Sequence, residues 1–315
     1  MTSSARPGSK AFLRKQSGGV AQPSSQSPRE GEVVAAYGRN FMVETATGEL
    51  LHCVPRGKNS AIACGDRVAI VSSSSGEAVI DAVRARDTLL VRAAANRVKL
   101  IAANATQLAL VVATEPSFSD ELVMRAIAAA EHASLKILIV LNKADITGAL
   151  AQARARLACF VNAGYHVVEI SALSNIAPLA ALLHGEKTVL AGQSGMGKST
   201  IINGLCPGEN VATRSISHFL ASGRHTTSAS SLYRLDPQSW IIDSPGMQEF
   251  GLAHLDRAAI EASMPEFRPY HGQCRFQDCR HGPEPGCALR QALAEGRIDA
   301  RRFELFHRIA GTAGR

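Results

Sequence analysis

A chain of 315 residues with 46 % hydrophobic content is long enough for two or three domains with their own cores. No apolar run reaches the ~18–20 residues that a membrane-spanning helix needs, and the charged N-terminus has no apolar stretch of the kind a secretory signal carries. A cytoplasmic chain without a membrane anchor is therefore expected, and its net charge of +7 favours anionic partners.

Residues 1–30 are rich in Ser, Gly, Pro and Gln, and carry Arg6, Lys10, Arg14, Lys15 and Arg29 against Glu30 alone. Such a segment buries too little to fold by itself. It reads as a disordered basic tail, either simply solvated or an arm that meets nucleic acid. Residues 31–93 change rhythm. EVVAAYG, NFMVETATGELLHCV, DRVAIV and EAVIDAV are short strand-like runs, and TATGEL places a glycine at a hairpin turn. This many short strands in so few residues predict a small barrel, with the OB-fold a natural candidate. The loop PRGKNS offers Arg56 and Lys58, which are phosphate contacts if the barrel binds RNA and plain surface charge if it does not.

From about 94 to 256 strands and helices alternate. QLALVVA is a strand, SDELVMRAIAAAEHA an amphipathic helix with Ser119 as N-cap, and KILIVL a buried strand. ALAQARARLACFVNAG is helical and closes at Gly164, HVVEIS is a strand, APLAALLH a helix and KTVLAG a strand. That pattern predicts a parallel α/β sheet, whose ligands bind at the C-terminal ends of the strands.

The motifs fall at those ends. NKAD, with Asn142, Lys143 and Asp145, follows KILIVL. A carboxylate at Asp145 can accept two hydrogen bonds from guanine N1–H and N2–H₂, a pair adenine lacks. Asn142 can brace adjoining loops, and the stem of Lys143 can lie along the base. Ser171 and Ala172, after HVVEI, offer a backbone N–H for guanine O6. GQSGMGKS then runs from Gly192 through Gln193, Ser194, Gly195, Met196, Gly197 and Lys198 to Ser199, and Thr200 follows. Between a strand and a helix, such a loop forms a phosphate cradle, with Lys198 for the β- and γ-phosphates and Ser199 for Mg²⁺. In GRHTTS, Thr227 (or its neighbour Thr226) can close on Mg²⁺. DSPG follows the strand SWIID, with Asp243 for the metal's water shell and Gly246 for the γ-phosphate. Ras-like enzymes often place a water-orienting Gln where this chain has Met247. His225, beside the threonines, is the substitute candidate, because an imidazole can orient water near neutral pH.

In the usual GTPase the phosphate loop comes first. Here the order is NKAD, SA, phosphate loop, threonine pair, DSPG. If every motif lies on one edge of a parallel sheet, cutting the chain elsewhere preserves the site, so a circularly permuted P-loop GTPase domain is expected.

The chain has seven cysteines, an odd count that fits a reducing compartment. Cys53, Cys64, Cys159 and Cys206 are scattered and read as structural. Cys274, Cys279, His281 and Cys287 form C-x₄-C-x-H-x₅-C, suited to one closed, structural tetrahedral Zn²⁺ in a domain over 257–315 that ends in helices. His271 is set aside as a ligand on spacing.

The permuted order, together with GRHTTS, DSPGMQEFGL and QCRFQDCRHGPEPGC, resembles the ribosome small-subunit-dependent GTPase A family (RsgA), over about residues 31–315. The resemblance implies an OB-fold, a permuted GTPase domain and a zinc domain. It also implies a monomeric, cytoplasmic factor in late maturation of the small ribosomal subunit, with GTP hydrolysis stimulated by that subunit and release on hydrolysis. The flanking domains would contact 16S rRNA. The family's phosphate-loop residues fall on Gly192–Thr200, its base-reading residues on Asn142, Lys143 and Asp145, its switch histidine on His225 and its zinc ligands on the four residues above. Two other classes compete. A GTPase of metabolism or tRNA modification would need a second substrate site, and no motif for one appears. An RNA-binding module using GTP as a clamp would not turn it over.

Overall fold

The computed structural model describes residues 28–57, 61–74, 76–94, 97–207, 229–244 and 250–311. Residues 1–27 of the expected tail, Lys58, the segment with His225, Thr226 and Thr227, and the positions Gly246 and Met247 lie outside the described residues.

Five strands open the described chain: β1 (Arg29–Tyr37), β2 (Asn40–Thr45), β3 (Leu50–Pro55), β4 (Arg67–Ser74) and β5 (Glu77–Val83). The turn between β2 and β3 has Gly48 at φ +81°, a region that favours glycine, and Thr45 Oγ1 accepts the Glu49 N–H at 3.2 Å. β1 pairs with both β2 and β4, β3 lies parallel to β5, and β5 returns antiparallel to β4. The circuit 1-2-3-5-4-1 closes the five strands into an OB-type barrel. Alternate side chains fill it, among them Val33, Phe41, Val43, Leu51, Val68 and Ile80. Arg56 pairs with Asp81 at 2.7 Å.

A separate antiparallel hairpin follows, β6 (Leu89–Ala94) and β7 (Arg97–Ala103). The boundary expected at 93 falls inside it. The hairpin is tied to a distant segment instead: the Ala93 N–H donates to Gly251 O at 2.9 Å and Ala253 donates back to Ala93 O at 3.1 Å.

The alternating region is built from β8 (Gln107–Ala113), α1 (Asp120–His132), β9 (Lys136–Asn142), α2 (Thr147–Asn162), β10 (His166–Glu169), α3 (Ala177–Leu183), β11 (Lys187–Ala191), α4 (Lys198–Leu205), β12 (Ser230–Asp236) and β13 (Ser239–Asp243). The strands lie in the order β10-β9-β8-β11-β13-β12. All neighbours are parallel except β12 against β13. β8 is buried along its whole length, as a central strand covered on both faces must be. Ser119 caps α1 by accepting the Leu122 N–H at 3.3 Å. The outer edge of β12 pairs with β1 through Ala35–Ser231 and Ala36–Ser230, which joins the barrel and the parallel strands in one sheet.

The C-terminal part contains α5 (Arg257–Ala262), a 3-10 turn (Pro265–Tyr270), α6 (Ala288–Ala294) and α7 (Ala300–Ala310). α7 buries Phe303, Leu305, Phe306 and Ile309 in a core shared with α1 and α2. Arg302 is fully buried there. Its guanidinium pairs with Glu266 at 2.7 Å and lies over the rings of Phe160 and Tyr165. A buried charge is tolerated when it is paired in this way. Among the described residues no helix is long and apolar enough to cross a membrane.

Candidate functional site

The site begins with register. Leu190 of β11 lies beside Asp243 of β13, Ala191 beside Leu110, Ala113 beside Asn142, and Glu169 beside Leu141. The strands therefore end together, and NKAD, SA, GQSGMGKS and Asp243 leave from one edge of the sheet. Although 101 positions separate Asn142 from Asp243, the topology brings them to the same rim.

The phosphate-loop sequence is a tight turn that leads into α4. Gly192 has φ +147°, Gly195 +81° and Gly197 +91°. Two of these glycines are required by close approach as well. A Cβ on Gly192 would stand 2.3 Å from Val111 O, and one on Gly197 would stand 2.3 Å from Asn142 Nδ2. Gly197 is also the residue from which α4 starts, so the free N–H groups of the first helical turn face the loop's concavity. The Lys198 ammonium folds back onto the carbonyls of Gly192 (2.7 Å) and Gln193 (2.8 Å). Burial pulls its pKa down, with Asp243 opposing. Burial likewise raises the Asp243 carboxyl, with Lys198 opposing. Two opposite charges are thus held partly desolvated at the rim, a place suited to a polyanion with a cation.

Asn142 is a brace between three loops. Its Nδ2 donates to Met196 O at 2.9 Å and its Oδ1 accepts from the Ala172 N–H at 3.0 Å. The Ala172 N–H is therefore already engaged, where the sequence reading offers a free donor in this loop. Lys143 adopts φ +59° and its Nζ donates to Glu115 O (2.7 Å) and Gly195 O (2.9 Å). Asp145 is exposed beside it, where a base could reach the carboxylate. Ser171 is buried, and its carbonyl accepts from Ser174 and Asn175, which closes the SA turn. Ser194, Ser199 and Thr200 lie in the loop and the first turn of α4.

The second cluster is local. Cys274, Cys279, His281 and Cys287 bring their ligand atoms within 4.8 Å of one another. His281 Nδ1 stands 3.6, 3.6 and 3.4 Å from the sulfurs of Cys274, Cys279 and Cys287, and the sulfurs of Cys274 and Cys287 are 3.9 Å apart. A tetrahedral ion with metal–sulfur bonds of about 2.3 Å and a metal–nitrogen bond of about 2.0 Å sets N···S edges near 3.5 Å and S···S edges near 3.8 Å. The four residues fit such an ion, the sulfurs of Cys274 and Cys287 are too far apart for a disulfide, and all three cysteines are free. The chain turns around the centre with His281 at φ +61° and Gly286 at +73°, and Arg275 N–H donates to Gly286 O at 3.0 Å. His271 is outside the cluster, 3.9 Å from Glu261.

Three contacts have no signature in the sequence motifs. Glu261 Oε2 accepts from His281 Nε2 at 2.9 Å and so leaves Nδ1 facing the three sulfurs, free to serve as a donor to a metal. It sits on α5, well before the first cysteine. Gln193 Oε1 accepts the Ser119 N–H at 2.8 Å. Thr114 Oγ1 donates to the Lys143 carbonyl at 2.8 Å. Each joins segments far apart in sequence, and only the paired fold brings them together.

A family model described as RsgA GTPase matches residues 83–253. The chain is 50 % identical over 289 residues to a small ribosomal subunit biogenesis GTPase RsgA of Nitrosospira multiformis, covering 91 % of this chain and 92 % of the relative. It is 47 % identical over 302 residues to the protein of the same name from Burkholderia pseudomallei, covering 93 % and 96 %. Among solved structures, YjeQ from Thermotoga maritima is similar with a TM-score of 0.71 at 28 % identity, over 90 % of this chain and 98 % of that one. YloQ, described as a circularly permuted GTPase, is similar in fold with a TM-score of 0.67 at 23 % identity, over 90 % and 94 %.

Proposed function

The chain belongs to the RsgA GTPase family, and from that premise we propose that it hydrolyses GTP in the biogenesis of the small ribosomal subunit. The observation that carries this reading is the common rim: NKAD, SA, the phosphate loop and Asp243 leave strands that end in register, in permuted chain order. We assign Asp145 to guanine N1–H and N2–H₂, with Asn142, Lys143, Ser171 and Ala172 shaping the base pocket. The loop Gly192–Thr200 holds the phosphates through its N–H groups and Lys198. Ser199 and Thr227 would hold Mg²⁺, Asp243 would act on the metal's side of the site, and Gly246 would meet the γ-phosphate. Bound with the nucleotide, Mg²⁺ supplies neutralisation of charge on the β- and γ-oxygens. Met247 cannot orient water, so His225 takes that role.

Cys274, Cys279, His281 and Cys287 are the ligands of a zinc ion that supplies local stability, since four protein donors leave no open position for catalysis. The barrel and the zinc region contact 16S rRNA in this reading, and hydrolysis releases the protein, as a monomer in the cytoplasm, from the subunit. Multiple-turnover phosphate release, measured with and without small subunits, tests the proposal. Stimulated turnover is expected in the parent and none in Lys198→Ala. His225→Ala should still bind a GTP analogue and the subunit, yet lose roughly 10²-fold of the stimulated rate. Equal turnover with and without subunits would remove the ribosomal role and leave a bare GTPase.

A further inference from the structure

The segment Glu115–Asp120, which joins β8 to α1, touches two parts of the molecule that do not otherwise share a motif. One end holds the phosphate loop. Lys143 Nζ links Glu115 O to Gly195 O (2.7 and 2.9 Å), and Pro116 packs so closely that a Cβ on Gly195 would lie 3.3 Å from its Cγ. The Ser119 N–H donates to Gln193 Oε1 at 2.8 Å, and the carbonyl of the same Gln193 receives the Lys198 ammonium at 2.8 Å. Gln193 therefore links the cap of α1 to the phosphate-binding lysine.

The other end holds the C-terminal helix. The Asp120 carboxylate is buried, and two guanidinium groups from different elements compensate its charge. Arg156 of α2 donates through Nε to Oδ1 at 3.0 Å, and Arg301 of α7 donates to Oδ2 at 2.7 Å. Arg156 also binds Ser117 Oγ at 2.6 Å and the Phe118 carbonyl, and stacks over the Phe118 ring at 4.1 Å. A buried carboxylate that loses one of its two cations must shift or rehydrate. Asp120 is the residue directly after Ser119, in the first turn of α1, so any such shift acts on the donor that holds Gln193. Arg302 fastens the next position of α7 against Met124 of α1, so docking of α7 and placement of the α1 N-terminus are one packing event.

We propose that Asp120 and Gln193 are positioning residues through which docking of the C-terminal helix α7 sets the affinity of the phosphate loop for guanine nucleotide. The inference rests on the nucleotide reading of that loop. Linkage makes it reciprocal: whatever factor α7 adds to nucleotide affinity, nucleotide must add to the docking of α7. A loop that Gln193 merely shapes would show no such link.

The test uses the full chain. GDP affinity is measured by calorimetry for the parent, Arg301→Ala, Gln193→Ala and the double variant, and amide hydrogen exchange of residues 303–310 is followed with and without GDP. Arg301, which is far from the phosphate loop in sequence, should weaken GDP by about fivefold or more when truncated. The double variant should be weaker than the poorer single by no more than about twofold, because both cut one path. GDP should slow exchange in 303–310 in the parent but not in Gln193→Ala. The proposal is overturned if Arg301→Ala binds GDP within about twofold of the parent, or if the two losses simply add. Should Arg301→Ala melt early, Arg301→Lys, which keeps a cation for Asp120, must return GDP affinity to within about twofold of the parent, and failure to do so also overturns it. No GDP binding by the parent is a different result, which removes the nucleotide reading itself.

Discussion

The strand-end rim and the cysteine–histidine cluster are built in opposite ways. The cluster draws its four donor side chains from fourteen consecutive residues, Cys274 to Cys287, with turns at His281 and Gly286 folding the chain around one point. The rim draws on segments from Asn142 to Asp243, and the contacts that join them, such as those of Asn142 with Met196 and Ala172, link residues far apart in sequence. They meet because β9, β8, β11 and β13 end in register. A local site can be broken by one ligand and takes its own loop with it. A topological site survives loss of one contact as a structure and fails as a binder.

Cys279→Ala should release the metal and loosen the region after 265, since ligand binding and local folding are one process there, worth about 10 kcal/mol or more for small zinc modules. Elemental analysis and limited proteolysis read the two consequences together. A variant that lost metal but kept protease resistance would make the cluster an ornament on a self-sufficient fold. The packing that joins this region to the sheet comes next. Arg302→Ala leaves Glu266 without its guanidinium in a buried setting, and should lower unfolding free energy by roughly 3–5 kcal/mol in denaturant titration.

At the rim, Lys198→Ala should leave the melting temperature nearly unchanged while GTP affinity falls by about a hundredfold, or about 2.7 kcal/mol. Unaltered binding would show that the ammonium does not meet the phosphates. The smallest effect concerns Asp243. Burial raises its carboxyl above the usual range, so the ionised form is less stable in the folded chain than in the unfolded one. That penalty is absent at low pH and grows as pH rises through the folded pKa. Asp243→Asn should therefore raise the melting temperature of nucleotide-free protein at pH 7 by up to about 2 °C. The gain should shrink as pH falls into the carboxylate range, even as Mg²⁺-dependent binding is lost.

The contrast between the two regions also explains what could be read in advance. The ligand spacing C-x₄-C-x-H-x₅-C is a local code, and the cluster's geometry follows it. Strand and helix runs from 107 onward were equally legible, down to Ser119 as a cap, because apolar periodicity and capping act over a few residues. The barrel followed from short alternating strands. What stayed hidden was pairing over distance. The β6–β7 hairpin, which the boundary at 93 divides, is anchored by Ala93 to Gly251 and Ala253. The seam between barrel and parallel strands rests on two residue pairs of β1 and β12. Glu261 behind His281 and Ser119 behind Gln193 belong to the same class. Each is an ordinary side chain or backbone group that gains its role only from where the sheet and helices carry it. Motif spacing contains none of that information.

A rim assembled by topology, in the reading proposed above, reads guanine through Asp145. Asp145→Asn exchanges a charged acceptor for an amide whose N–H₂ opposes the guanine donors but can pair with the O2 of xanthine. Competition binding of GDP against xanthosine diphosphate, on parent and variant, measures this directly. The expected result is a loss of GDP affinity of more than tenfold, about 1.4 kcal/mol, with a gain for xanthosine diphosphate in the same variant. GDP affinity unchanged by Asp145→Asn, with no gain for the xanthine nucleotide, would contradict it.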